Sequence, residues 1–85
     1  MPNVQWDIDI HHTVVQVLFP LPARLAVNIR DTIASLESNP RPANFRIVEG
    51  FEDTYEVTTG FFRIVYQIQE KQKRIKVAMV NLRID

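Results

Sequence analysis

The chain has 85 residues, no cysteine, and ten basic and ten acidic residues that give a net charge of zero. This length predicts one domain, 1–85, with a modest core, and the missing thiols exclude disulfides, thiol nucleophiles and thiolate metal sites. Zero net charge disfavours strong non-specific binding to nucleic acid. No stretch has the length and apolar character of a membrane span, and the N-terminus does not resemble a secretion signal. We therefore expect a cytoplasmic protein without a membrane partner.

The charge is unevenly distributed along the chain. Residues 1–60 carry four basic and eight acidic residues, whereas residues 61–85 carry six basic and two acidic residues. A basic segment of this kind can mark an anionic partner. Four of the six basic residues lie within 71–76, and the alternative interpretation is a solvated hairpin turn.

The first predicted element is a strand in the sequence VQWDIDI, residues 4–10. Its apolar residues alternate with polar ones, as in a half-buried strand at the edge of a sheet; they are Val4, Trp6, Ile8 and Ile10. The next segment, HHTVVQVLF at 11–19, fits either a short helix or a strand, because its β-branched residues suit both. It ends at the prolines of PLP.

A helix is predicted from about 22 to 38. Pro22 suits the first turn of a helix, and the sequence SNPRP ends the pattern. The apolar residues recur at spacings of four, four and three, which gives one buried stripe; they are Leu25, Ile29, Ile33 and Leu36.

The second half of the chain reads as strands. A short strand and turn in NFRIVEGFED precede a hairpin, TYEVTTGFFRIVYQI, and a last strand, RIKVAMVNL. Alternation places Arg63 on the polar face of the central strand, and places Ile75, Val77 and Met79 inward on the last one. The pattern predicts an α+β domain: a small antiparallel sheet of about four strands, with one or two helices from the N-terminal half on one face.

Four segments carry a resemblance to a known family: RLAVNIRDTIASLESNP, GFEDTYEV, GFFRIVYQI and IKVAMVNLR. In order and spacing they resemble the RelE/ParE superfamily of toxin–antitoxin toxins. The resemblance covers roughly residues 22–83, and 11–19 would be the shorter first helix of that fold. It implies a small α+β toxin that is silenced by a cognate antitoxin protein. No cofactor is implied.

The resemblance implies one of two targets. Toxins of the RelE type are endonucleases that bind the ribosome and cut messenger RNA there without a metal ion, whereas relatives of the ParE type poison DNA gyrase. In the RNA-cutting branch the arginine of the central strand belongs to the active site, and Arg63 matches it. A second arginine follows the last strand, and Arg83 matches that position. Both would act as charge clamps on the phosphate.

The position of Arg83 raises a geometric question. Strict alternation gives Arg83 the same parity as Ile75, Val77 and Met79, the residues expected to be buried. Arg83 can join Arg63 on the open face only if the strand ends or bulges near Asn81.

Three further residues are candidates for RNA binding, and three for partner binding. Arg74 and Lys76 would contact phosphates, or would only keep the hairpin soluble, and Phe61 would stack on a base. Val14, Leu18 and Leu25 would line an apolar groove for the antitoxin or for a second copy of the chain in a homodimer. The adjacent His11 and His12 point to opposite sides of an extended chain and make a poor chelate, so no metal site is expected.

Two acidic residues keep the alternatives open. Glu49 and Glu56 stand where RNA-cutting members often carry basic residues, and Glu56 could pair with Arg63 across the hairpin. These acids favour a second hypothesis, a gyrase poison or a toxin that has lost its chemistry. A third hypothesis is a partner-binding module in the same fold.

Overall fold

The structure, a computed structural model, describes residues 5–83. Five strands form one sheet in the order β1-β5-β4-β3-β2. Helix α1 packs against β5, and α2 packs against β3 and β4. The elements in chain order are β1 (Asp7–Ile10), α1 (His12–Leu18), α2 (Ala23–Ser35), β2 (Arg46–Ile47), β3 (Thr54–Thr59), β4 (Phe62–Gln69) and β5 (Arg74–Leu82).

The predicted α+β class, a small sheet of about four strands with the helices on one face, is confirmed. The sheet has five strands and is mixed, because β1 pairs with β5 in parallel, whereas the prediction was an antiparallel sheet. The other three pairs are antiparallel. Alternation along a strand shows which side is buried, but it carries no information about which strand lies alongside. The alternation of apolar and polar residues could therefore not predict that the first and last strands pair in parallel.

The segment that suited either a helix or a strand is helix α1. Its Val14 is fully buried and Leu18 is 5% exposed, so the spacing of four residues places both on the face that covers the sheet. The helix begins after His11, whose Nδ1 accepts a hydrogen bond from the backbone N–H of Thr13. This cap satisfies one of the free donors at the helix start.

Helix α2 is shorter than the predicted range of 22–38. Pro22 lies just before its first residue, and the helix ends at Ser35. Of the predicted stripe, Leu25 is only half-buried, and Ala26 takes the buried position in that turn. The remaining stripe residues are buried as predicted: Ile29, Ile33 and Leu36. Val4, which was predicted for the first strand, lies outside the described residues.

Tyr66 of β4 lies at the centre of the core and is fully buried. Its hydroxyl donates a 2.7 Å hydrogen bond to the backbone oxygen of Pro40, so the segment after α2 is tied to the middle of the sheet. Burial raises the pKa of Tyr66 from 10.0 to about 12, because the charged phenolate is poorly solvated there. Next to Pro40, Arg41 forms a 2.7 Å ion pair with Glu70, which raises the pKa of Arg41.

A β-bulge interrupts the pairing of β4 with β5. Val65 pairs with Met79, but the adjacent Tyr66 pairs with Val77, so Ala78 has no partner in the register. The extra residue exchanges the two faces of β5 beyond this point. The prediction that Met79 points inward is therefore wrong: Met79 is 48% exposed and Val80 is 3% exposed.

The hairpin of β3 and β4 closes through a two-residue turn, Gly60 and Phe61, since Thr59 pairs with Phe62. Gly60 has a φ of +57°, and a glycine at the first turn position is typical of a type II′ turn. Among residues 5–83, no helix is long and apolar enough to cross a membrane.

Candidate active site

The face of the sheet that the helices leave uncovered carries a groove. Alternate side chains of β4 are half-buried there, whereas those between them are buried against the helices. The groove encloses about 510 Å³. Its lining combines apolar and polar residues from β3, β4, β5 and the segments beside them: His11, Val48, Phe51, Thr54, Arg63, Val65, Gln67, Lys76, Ala78, Met79 and Asn81.

Arg63 lies in this groove, on the open face where the sequence placed it. Its side chain is 32% exposed. Its neighbours in the sheet register are Thr58 on β3 and Asn81 on β5. The guanidinium is thus set among polar groups on an accessible surface, where it can meet an anion.

The Nε atom of Arg63 lies 3.1 Å from Oε2 of Glu56. The two residues are diagonal neighbours, because Glu56 pairs with Val65 and Arg63 pairs with Thr58. The contact is an ion pair but not a formed hydrogen bond: Nε is buried, and no acceptor among residues 5–83 lies in line with its N–H. The pairing of Arg63 with Glu56 that the sequence suggested as an alternative is therefore present, and it leaves the rest of the guanidinium partly exposed.

The bulge decides the position of Arg83. Asn81 pairs directly with Arg63, and the backbone N–H of Arg83 donates a 2.8 Å hydrogen bond to the oxygen of Phe61. Position 83 continues the register two residues beyond Asn81, so it falls on the open face with Arg63. Arg83 is exposed. Arg83 could join Arg63 only if the last strand had a bulge, and the bulge is present at Ala78. The catalytic role of Arg83 stays a prediction.

Of the other RNA-binding candidates, Arg74 and Lys76 lie on the open face, and Phe61 lies in the turn between β3 and β4. Lys76 pairs with Gln67 and lines the groove, whereas Arg74 pairs with Gln69, nearer the β4–β5 turn. Phe61 is 77% exposed at the opposite end of β4. These residues are spread along the whole length of the sheet, with Arg63 between them. Their binding of RNA stays a prediction.

Sequence reasoning missed two side chains near the site. Arg46, on the edge strand β2, is exposed and directly opposite Glu56 in the register. The alternation in NFRIV could have indicated this position, because it places Arg46 and the neighbouring Ile47 on opposite faces of the strand. His11 lines the groove because β1 runs beside β5, and only the unpredicted parallel pair brings it there.

The partner-binding candidates occupy the other side of the molecule. Val14 is fully buried, so its side chain has no surface to offer a partner, and Leu25 lies half-buried at the margin of the core. Leu18 contributes to an apolar groove of about 340 Å³. That groove runs between β1 and the helices and is lined by Ile8, Ile10, Val15, Leu18, Phe19, Arg30, Ile33, Ala34 and Glu37.

The groove between β1 and the helices has an exposed apolar rim. Phe19 is 87% exposed and Val15 is 53% exposed. Apolar side chains that remain in water next to a groove are typical of protein interaction surfaces. Within residues 5–83, no group of three or more histidine, aspartate or glutamate side chains is arranged to hold a metal ion.

Comparison with known proteins gives a consistent result. No family model matches the sequence. The chain is 24% identical over 83 residues to a protein of Methanocaldococcus jannaschii named as the toxin RelE1, with 94% of this chain and 92% of that protein covered.

Solved structures share the whole fold. A chain of the archaeal RelE–RelB complex from Pyrococcus horikoshii OT3 superimposes with a TM-score of 0.83 at 27% identity, over 93% of this chain and 96% of that one. The RelBE2 complex of Mycobacterium tuberculosis gives 0.80 at 19% identity, over 99% and 98% of the two chains. The isolated RelE toxin of E. coli gives 0.79 at 16% identity, over 94% and 86%. Motifs, fold and relatives together support a toxin similar to those of the RelE/ParE superfamily.

Proposed function

We propose that this toxin of a type II toxin–antitoxin system is a cytoplasmic endoribonuclease that cuts messenger RNA on the ribosome. The observation that carries the proposal is the position of Arg63. Its guanidinium lies in a groove on the uncovered face of the sheet, 32% exposed and directly opposite Asn81. An accessible, partly buried cation of this kind suits the binding of a phosphate.

The chemistry requires a fixed positive charge. In metal-free cleavage the 2′-hydroxyl gives its proton to a base and attacks the adjacent phosphorus, and the bond from phosphorus to the 5′-oxygen breaks as that oxygen takes up a proton. Negative charge grows on the phosphate oxygens during this step. Donors that are already in place stabilise this charge more effectively than water does. Arginine stays protonated at physiological pH, so Arg63 would clamp the phosphate and would not transfer the proton. Arg83 would supply a second cation from the same face.

The remaining basic residues of β5 extend the positive surface. Lys76 lies in the groove and Arg74 lies two residue pairs nearer the β4–β5 turn. The RNA backbone would follow these cations, and Phe61, 77% exposed at the other end of β4, would stack on a base. Three of the six basic residues in 61–85 lie on β4 and β5, the two strands that form the groove floor, which suits an anionic substrate despite the zero net charge.

A cognate antitoxin is the expected protein partner. The solved relatives include RelE–RelB and RelBE complexes of toxin with antitoxin. We propose that the antitoxin of this chain covers the groove between β1 and the helices, where Leu18 lies below the exposed Val15 and Phe19. Val14 would support that surface from inside the core.

The test is inducible expression of the wild-type chain and of Arg63→Ala. Wild type should arrest growth and translation, with new 5′ ends on a reporter messenger in primer extension, and Arg63→Ala should abolish all three effects. Arg24→Ala is the matched control, since Arg24 is exposed on α2, on the covered side of the sheet. It should remain as toxic as wild type. Unchanged messenger cleavage by Arg63→Ala would contradict the proposal.

Gyrase inhibition is the second candidate, because Glu56 sets a negative charge beside Arg63. A gyrase poison would damage DNA while translation continued. The same induction experiment separates the two functions when a DNA-damage reporter is followed alongside protein synthesis. Size-exclusion chromatography of the chain, alone and with its antitoxin, distinguishes antitoxin binding from homodimer formation.

A further inference from the structure

The ion pair of Arg63 and Glu56 involves only the inner end of the guanidinium. Nε is buried and lies 3.1 Å from Oε2 of Glu56. Glu56 is itself confined, since its side chain is 19% exposed and its residue lies within strand β3. A carboxylate fixed on a strand thus attracts the Nε side of Arg63 and restricts the orientation of the group.

The outer end of the guanidinium is not used by this contact. Arginine carries five N–H donors, of which Nε supplies one and the two terminal nitrogens supply four. The two terminal nitrogens form the fork that binds two phosphate oxygens at once. The side chain is 32% exposed within the groove. Glu56 and a phosphate would therefore bind different donors of the same residue.

We propose that Glu56 is a positioning residue: its negative charge attracts the Nε side of Arg63, so that the terminal fork faces the groove before the substrate binds. The inference rests on the proposed function of Arg63 as the phosphate clamp. A free arginine side chain has many rotamers, and binding an anion must select one of them. A carboxylate that already restricts Arg63 to this orientation reduces the conformational entropy that the side chain loses when the phosphate binds.

The negative charge of Glu56 also acts against the proposal, because it repels a phosphate. Two observations limit this repulsion. The carboxylate lies on the inner side of the guanidinium, and Arg46 is its direct partner in the register on the other side. Positioning and repulsion give opposite predictions for removal of the carboxylate, so an experiment can separate them.

The first test is a double-mutant cycle, measured as single-turnover cleavage of messenger RNA on purified ribosomes. Glu56→Ala should lower the rate about tenfold while ribosome affinity stays within about twofold, because the clamp is misplaced only at the reacting phosphate. Glu56→Gln, which keeps an oxygen in place, should recover part of the rate. In an Arg63→Lys background, which has charge but no Nε, Glu56→Ala should change the rate by less than about twofold.

The control is Asp31→Ala, which removes the same charge from an exposed site on α2, on the covered side of the sheet, and should leave the rate unchanged. A faster Glu56→Ala protein would show that repulsion dominates, and the inference would be wrong. If Glu56→Ala caused an equal loss in the wild-type and Arg63→Lys backgrounds, its role would be generally structural, and the inference would be overturned as well.

The second test does not depend on catalysis. The Nε–Hε signal of Arg63 in a ¹⁵N spectrum of the purified protein should be sharp and slow to exchange with water in wild type. It should exchange rapidly in Glu56→Ala, whereas Asp31→Ala should leave it unchanged. A wild type that cuts no messenger would refute the proposed function alone. An Nε–Hε signal that is unaffected by Glu56→Ala would refute the positioning inference, whatever the activity.

Discussion

Val77 and Met79 are two residues apart in one strand, and yet they lie on opposite faces of the sheet. Val77 is fully buried and Met79 is 48% exposed, because the unpaired Ala78 between them exchanges the faces. The same exchange brings position 83 to the side of Arg63. The extra residue Ala78 therefore determines whether Arg83, which follows the bulge, lies on the same face of the sheet as Arg74 and Lys76, which precede it.

This arrangement predicts unequal costs for two substitutions in β5. Val80→Ala should lower the free energy of unfolding by about 2–3 kcal/mol, since Val80 is 3% exposed and its loss leaves a cavity. Met79→Ala should cost less than about 1 kcal/mol, because half of its side chain is already in water. Urea unfolding followed by circular dichroism measures both. Equal losses, or a larger loss for Met79→Ala, would contradict the bulge.

Two exposed phenylalanines should have separable functions. Phe19 is 87% exposed at the groove between β1 and the helices, and Phe61 is 77% exposed at the β3–β4 turn. Phe19→Ser should weaken antitoxin binding at least about tenfold and leave messenger cleavage intact, since burying an aromatic ring is a common source of interface energy. Phe61→Ser should show the reverse pattern.

The measurement for this pair is titration calorimetry with the co-expressed antitoxin, alongside primer extension on a reporter messenger. Each variant serves as the control for the other, because both remove one exposed ring. If both variants lost the same activity, the assignment of the two surfaces would be wrong.

The buried hydroxyl of Tyr66 predicts a loss of stability at high pH. The folded chain keeps this proton up to a pKa of about 12, whereas the unfolded chain releases it near 10.0. The unfolded state therefore binds fewer protons between these values, and stability falls as the pH rises from 10 to 12. The fall attributable to Tyr66 is about 2–3 kcal/mol, at about 1.4 kcal/mol per pH unit.

Tyr66→Phe isolates this effect. It loses the 2.7 Å hydrogen bond to Pro40, so it should be less stable than wild type near neutral pH by about 1 kcal/mol. Above pH 10 its stability should decline less steeply than that of wild type. Chemical unfolding at several pH values gives both curves, and parallel curves would exclude the effect.

The turn between β3 and β4 should depend on its glycine. Gly60 has a φ of +57° and an added Cβ would meet nothing within 4 Å, so a substitution would be penalised for backbone strain and not for crowding. Gly60→Ala should lower stability by about 1 kcal/mol, and Gly60→Asn should cost less, because asparagine tolerates this conformation. Thermal unfolding of the wild type and both variants measures these losses. A Gly60→Ala protein more stable than the wild type would contradict the prediction.

The sequence was informative wherever a residue's neighbours are local. The spacing of Ile29, Ile33 and Leu36 predicted the buried side of α2, and the alternation around Arg63 predicted the open face of β4. Both patterns follow from the geometry of one helix or one strand. The resemblance to RelE/ParE toxins, carried by the strand that contains Arg63, was confirmed by the fold.

The remaining features depend on contacts between distant segments. Met79 was placed inward because alternation assumes an uninterrupted strand, and nothing in RIKVAMVNL marks Ala78 as an extra residue. His11 entered the groove only through the parallel pairing of β1 with β5. Val14 was expected at a partner surface, but the apolar character that suggested this is explained equally well by its burial in the core.

The pairing of β1 with β5 also has a consequence for how the toxin is made. The register joins Asp7 to Arg74, so the sheet is completed by segments from nearly opposite ends of the chain, and β5 separates β1 from every other strand. During synthesis the first strand has no place to dock until the last one has left the ribosomal exit tunnel. A chain interrupted before that moment lacks the buried Ile75 and Val77 of β5, so its core is unfinished, and it lacks Arg74 and Lys76 on the opposite face.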